Sequence, residues 1–197
     1  MKKSEKLLFL LEENGGYLKT ADVLEAGVSR SALGDFVRKN ELERVAHGLY
    51  MSKDAWEDVF FVIQVRYPDA VFSHETALYL LKSATREPSP ISVTLRTGSN
   101  SKALLEQGIR VYTLKESLFR EGVVEVVSPF GHKVNTYNME RTLCDLFRSR
   151  RNIEIQELQA AVKEYVRSKE KNIPQFLRYA KALSVETIVR QYLEVLL

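Results

Sequence analysis

Between residues 14 and 51 stop and start signals follow one another so closely that only short elements fit, and this restricts the fold more than any other feature of the chain. Asn14-Gly15-Gly16 ends whatever precedes it, and Gly27 follows "TADVLEA". Glycine and asparagine tolerate the left-handed backbone on which helices commonly end. Thr20 and Ser29 alternate with these stops, each placed to cap a helix. Three short helices are therefore expected, over 4–13, from Thr20, and from Arg30 to Lys39. Their apolar stripes are Leu7, Leu8, Leu10 and Leu11, then Val23 and Leu24, then Leu33, Phe36 and Val37. Helices two and three, joined by a glycine turn, make a helix-turn-helix. The next stretch, "LERVAHGLYM", alternates as two strands, 43–45 and 49–51, around Ala46-His47-Gly48. A hairpin in that position is a wing.

Such a unit suggests duplex DNA as the partner. The third helix begins with Ser29, Arg30 and Ser31, at the end that usually meets base edges, and its outward face continues through Gly34, Asp35 and Arg38. Arg30 or Arg38 can address a guanine edge, Arg44 and His47 on the wing suit phosphates or a narrow minor groove, and Lys19 and Thr20 can hold the backbone. Simpler readings stand beside these. Arg38 and Lys39 are favourable near any helix C-terminus, and Arg44 next to Glu43 is an ordinary solvated strand edge. Charge does not decide the matter, because residues 1–52 carry eight Lys/Arg and eight Asp/Glu.

Beyond Trp56 the pattern changes, which sets the expected domains as 1–52, a winged helix-turn-helix that binds DNA, and 53–197, a second domain. "DAWEDVFFVIQVRY" reads as a helix with a wide apolar face, and "SHETALYLLKSA" as another that Ser73 caps. Short β-branched runs follow at 91–95, 109–114, 123–128 and 133–137, as a small mixed sheet requires. From Asn138 the chain reads as helical to its end, with one break at Asn172-Ile173-Pro174 and a new cap at Ser184. The expected class is α+β, with helices flanking the sheet and a helical tail. Residues 148–190 hold ten Lys/Arg against five Asp/Glu, so Arg148, Arg151, Lys163, Arg167, Arg178 and Lys181 are candidates for a second DNA surface, or are simply solvated helix faces.

Little points to catalysis. His47, His74 and His132 are far apart, none has a second ligand at metal spacing, and no phosphate loop occurs. Pro68-Asp69 is placed like the start of a nuclease metal site, yet "ISVTLRTG" lacks the Glu-x-Lys that should follow. No enzymatic activity, metal or cofactor is expected. Cys144, the single cysteine, lies among apolar residues and reads as a buried side chain. The start "MKKSEKLLFLLEENGG" is interrupted by charges, and no run approaches the roughly 20 apolar residues of a membrane span. A cytoplasmic protein is expected.

Residues 15–51, "GGYLKTADVLEAGVSRSALGDFVRKNELERVAHGLYM", resemble the N-terminal winged helix of AbiEi-type antitoxins, where G-V-S-x-x-x-L-x-x-x-V-x-x-G-x-L-x-R-V-x-x-G-x-Y recurs. "FSHETALYLL", "ISVTL" and "NTYNMERTLCDLF" are similar to later segments of the same family, so the resemblance spans most of 15–148. Asn40 stands where the family often has glycine, and Asp35 where a basic residue is common. The resemblance implies an antitoxin of a bacterial type IV abortive-infection module that represses its own operon at inverted repeats in the promoter. Its functional partner would be a nucleotidyltransferase-like toxin, opposed without a stable complex. Cooperative assembly on DNA is expected, with no need for a stable free dimer. Glu140, Arg141, Thr142 and Asp145 match the later motif, where a structural role is expected. The other reading is a winged-helix regulator with a ligand-sensing second domain and no toxin.

Overall fold

In the computed structural model, which describes residues 2–196, the glycine-punctuated segment folds as α1 (Lys3–Glu13), β1 (Tyr17–Lys19), α2 (Thr20–Glu25), α3 (Arg30–Lys39), β2 (Glu43–Ala46) and β3 (Leu49–Met51). The helix-turn-helix and wing are as expected. Ser29 caps α3, its Oγ accepting from the Ala32 amide at 3.3 Å, and Gly27 turns at φ +75°. Leu7, Val23, Val28, Leu33, Phe36 and Leu42 converge with Leu18 in one core. Truncating a ring such as Phe36 there costs about 3–5 kcal/mol. The strand β1 has no counterpart in the sequence reading. It pairs antiparallel with β3, giving a three-stranded sheet in the order β1-β3-β2.

The chain divides into two units. The first comprises Met1–Pro68 together with Val127–Val134, and the second Asp69–Val126 with Asn135–Leu197. The first unit thus runs past the expected boundary at residue 52, because α4 (Val59–Arg66) packs Phe61 and Val62 on Tyr17, Ala46 and Leu49. This helix starts later than expected, and Trp56 ahead of it is 81% exposed. Asp58 caps α4 through Oδ1, which accepts from the Phe61 amide at 3.1 Å. Its Oδ2 accepts from Ser128 Oγ and faces His132 Nδ1 at 2.8 Å, fixing residues 127–134 to α4. On its other side His132 Nε2 lies 3.1 Å from the carbonyl of Asn14. A carboxylate and a carbonyl only accept, so both ring nitrogens donate and the ring is an imidazolium. Burial opposes that charge, but the bonds to Asp58 and Asn14 prevail and raise the His132 pKa; Asp58, likewise against its burial, is lowered. The ring stacks on Phe61 with centroids 4.1 Å apart.

In the second unit, β4 (Val71–Phe72), α5 (His74–Leu80), β5 (Ser92–Arg96), α6 (Lys102–Glu106), β6 (Arg110–Leu114), α7 (Glu116–Phe119), β7 (Val123–Val127) and β8 (Lys133–Tyr137) build a five-stranded sheet in the order β6-β5-β4-β8-β7. It is mixed: β5 pairs parallel with β6 and antiparallel with β4, and β4 parallel with β8. Then come α8 (Met139–Arg148), α9 (Ile155–Arg167), α10 (Ile173–Ala182) and α11 (Glu186–Leu196). Leu143 and Phe147 of α8 join Leu158, Val162, Phe176 and Val189 in its core. Among the described residues no helix is long and apolar enough to cross a membrane.

Several local expectations are corrected. Leu24 points outward, 41% exposed, because it lies about 100° around the helix from the buried Val23. Thr20 is the first residue of α2 and Lys19 its N-cap. Ser73 stands at the N-cap of α5, but its hydroxyl makes no cap bond; it accepts from Thr94 Oγ1 at 2.9 Å and meets His74 Nδ1 at 3.0 Å. The tail has a second break between α8 and α9. Ser184 does not cap α11: it adopts φ +59° just past α10, where the Val185 amide reaches back to the Ala180 carbonyl and closes the helix end.

Candidate nucleic-acid interface

The first turns of α2 and α3 and the wing together form one basic groove. Because Thr20 donates its amide to the Gly48 carbonyl at 2.8 Å, the wing tip is held against the start of α2. Lys19, Thr20, Arg30, Arg44, His47 and Tyr50 line the resulting depression, about 540 Å³ in volume. Five of these are DNA-contacting candidates from the sequence, drawn from β1, α2, α3, β2 and the turn that follows it. Tyr50 of β3 also reaches the groove.

Within the groove the cations are held in different ways. Lys19 Nζ lies 4.7 Å above the Phe61 ring, which orients the ammonium without consuming its hydrogen-bond donors. Arg44 bends back along the wing, its Nε donating to the Ala46 carbonyl at 3.4 Å and its Nη2 lying 2.9 Å from His47 Nδ1. Arg30 is exposed at the start of α3 beside Ser31. The wing is braced from behind by Arg66 of α4, whose Nη2 donates to the Val45 carbonyl at 2.6 Å. That brace was not legible in the sequence.

Arg38 and Lys39 are exposed at the far end of α3 and do not line the groove. Arg38 donates instead to the Asp35 carboxylate on the same outward face. In the second unit Arg148, Arg151, Lys163, Arg167, Arg178 and Lys181 are all exposed. Arg148 and Arg151 share a small depression with Arg150, Ser149 and Asn152. Lys163 and Arg167 lie one turn apart on α9, and Arg178 and Lys181 on α10, as their spacing requires.

The later motif is engaged in packing. Arg141, 1% exposed, donates from Nη1 to the carbonyls of Leu118 at 2.6 Å and Glu121 at 2.8 Å, and its Nε lies 3.2 Å from Asp145 Oδ2. Glu140 accepts from the Tyr165 hydroxyl, and Thr142 donates to the Tyr137 carbonyl. Burial pushes the Asp145 carboxyl up to about 6 against the pull of Arg141. Burial likewise pushes His74, bonded between Ser73 and Ser149, down to about 3 and keeps it neutral. The triad-like set Asp58, Ser128 and His132 is a clamp rather than a nucleophile relay, since Ser128 and His132 share one carboxylate oxygen and His132 Nε2 is taken by Asn14. Among the described residues no group of three or more His, Cys, Asp or Glu is arranged to hold a metal.

Residues 5–53, which contain the helix-turn-helix and nearly all of the groove, match the family model described as "Transcriptional regulator, AbiEi antitoxin". Over this segment the chain is similar to AbiEi antitoxin regulators. No curated protein matches the chain. Among solved structures, that of the RV2827C protein from Mycobacterium tuberculosis is similar with a TM-score of 0.58 at 13% identity, covering 92% of this chain and 72% of that one. At that identity the likeness is one of fold. The likeness in fold reaches beyond the residues that the family model matches, into the second unit.

Proposed function

We propose that this protein is an antitoxin and DNA-binding transcriptional regulator that represses its own operon in a type IV abortive-infection module. The observation that carries the reading is the groove in which Lys19, Thr20, Arg30, Arg44 and His47 meet beside α3, inside the segment that matches the AbiEi regulators. In this reading α3 enters the major groove with Ser29, Arg30 and Ser31 foremost, Lys19, Thr20, Arg44 and His47 take phosphates or the adjoining minor groove, and Arg38 and Lys39 follow at the rear of the helix. Two molecules on an inverted repeat, their half-sites one helical turn or a multiple of it apart, block the promoter by occupancy. Arg148, Arg151, Lys163, Arg167, Arg178 and Lys181 add contacts from the second unit, here taken as the antitoxin domain. The toxin is a nucleotidyltransferase-like protein, opposed without a stable complex, and both act in the cytoplasm.

A gel-shift titration of the full chain at two salt concentrations, against the DNA upstream of its own gene and a scrambled duplex, tests the first half of this. Cooperative binding that prefers the upstream DNA and weakens steeply with salt is the expected result. Equal affinity for both duplexes would leave the winged helix as a protein-contact module.

A regulator that senses a small ligand and has no toxin is the second reading. It is favoured by a cavity of about 520 Å³ in the second unit, lined among others by Glu75, Arg86, Arg110 and Glu157. A neighbouring nucleotidyltransferase gene whose toxicity is relieved by co-expressing the full chain supports the first reading; regulation of the promoter without such a gene supports the second.

A further inference from the structure

The outward face of α3 carries features that the protein's own packing does not require. Gly34 lies mid-helix, where glycine is among the poorest helix formers, and a Cβ added there would meet nothing within 4 Å. Nothing inside the molecule calls for the missing side chain. Beside it Asp35 and Arg38 form an ion pair whose side chains are 68% and 79% exposed, with Arg38 Nη2 donating to Asp35 Oδ1. With Ser31, they fall at i, i+4 and i+7, a single stripe along the helix.

We propose that Gly34, Asp35 and Arg38 are a guanine-reading unit: Gly34 gives a base pair clearance to approach the helix, Arg38 donates to the guanine edge, and Asp35 positions the guanidinium. The inference rests on the DNA-binding reading above. A guanidinium has five N–H donors, so one bond to Asp35 leaves a parallel pair for guanine O6 and N7. An untethered arginine on this face would settle on phosphates, which carry no sequence information. Asp35 acts against that outcome in two ways. It fixes the fork before binding, reducing the entropy lost on contact, and its charge repels a phosphate that approaches in place of a base. The acidic residue that looked out of place on a DNA-facing helix thereby becomes its selectivity element.

The test is selection of binding sites by the full chain from duplexes randomised over about two helical turns, comparing the wild type with D35A, R38A and G34A, with thermal unfolding of each. The wild type should select a motif containing a guanine whose preference R38A loses and D35A weakens about ten-fold. D35A should meanwhile bind scrambled DNA as tightly as the wild type or more so, since a negative charge has gone. G34A should unfold at a higher temperature yet bind every duplex about ten-fold more weakly, because a methyl group blocks close approach. A pair that only stabilises the helix would lower the unfolding temperature of D35A and R38A and leave the selected motif unchanged, which overturns the inference while the DNA reading stands. A G34A variant that binds like the wild type removes the clearance role. Failure of the wild type to select any motif overturns the DNA reading and this inference with it.

Discussion

Arg30 is exposed at the first position of α3, one residue after the cap that fixes the direction of the helix. Its neighbours in the groove, Lys19 and Arg44, are oriented by a ring and by the wing backbone respectively. Arg30→Ala should therefore cost roughly 1–3 kcal/mol of binding on the preferred site and relax the sequence preference, read by titration against preferred and scrambled duplexes. A change of the same size on both duplexes would make Arg30 a phosphate contact. Arg141 shows the opposite use of an arginine. Enclosed by two carbonyls, Asp145 and the Tyr137 ring, it has no free face. Arg141→Met should lower the unfolding free energy by about 3–5 kcal/mol, measured by urea denaturation, because it leaves Asp145 buried without its partner.

At the scale of elements, the segment 127–134 is held by an imidazolium, and this makes its attachment sensitive to pH. The folded pKa of His132 is raised, so its contribution is complete below 6.5 and is lost as pH rises through the folded value. Two other groups act elsewhere. Asp145, raised from 3.8 to about 6, contributes stability that disappears as pH rises through about 6; His74, lowered to about 3, contributes stability present above 6.5 and lost as pH falls. Above pH 6.5 the His132 effect therefore stands apart from both. Urea midpoints of the wild type should fall as pH rises above 6.5, and His132→Asn should flatten that slope; an unchanged slope in the variant would place the titrating group elsewhere. This element also marks the limit of what the sequence discloses. The helices and wing were legible because caps, glycines and apolar spacing are local signals. Asp58 and His132 are 74 positions apart, and nothing in either neighbourhood encodes the other. The strands β1 and β4 leave no local signal for a related reason: three and two residues long, they show no alternation and exist through pairing with distant partners. Ser184 departs from the cap its sequence suggests, because a serine near a helix end is an ordinary cap whereas its left-handed turn is imposed by how α10 closes. The candidate groove was read residue by residue, but the Thr20–Gly48 bond that assembles it, and the Arg66 brace behind it, came only with the fold.

For the whole molecule, the question is whether one unit or two hold DNA. The winged-helix segment 1–52 has equal numbers of basic and acidic residues, whereas 148–190 has twice as many basic as acidic ones. Long-range attraction to a duplex would then come mainly from the second unit, and selectivity from the first. Lys163→Ala combined with Arg167→Ala should weaken binding to any sequence and reduce the slope of log affinity against log salt by about 2. Affinity and slope both unchanged would restrict the DNA surface to the first unit. The interleaving of 127–134 with residues 1–68 also bears on how the protein is made. On the ribosome the winged helix emerges early, but the buried carboxylate of Asp58 has neither Ser128 nor His132 to answer it until nearly two thirds of the chain has been translated. A nascent regulator is thus incomplete until most of the polypeptide exists. Messages cut short before codon 132 would yield chains with the helix-turn-helix and wing but without this clamp, and open to proteolysis.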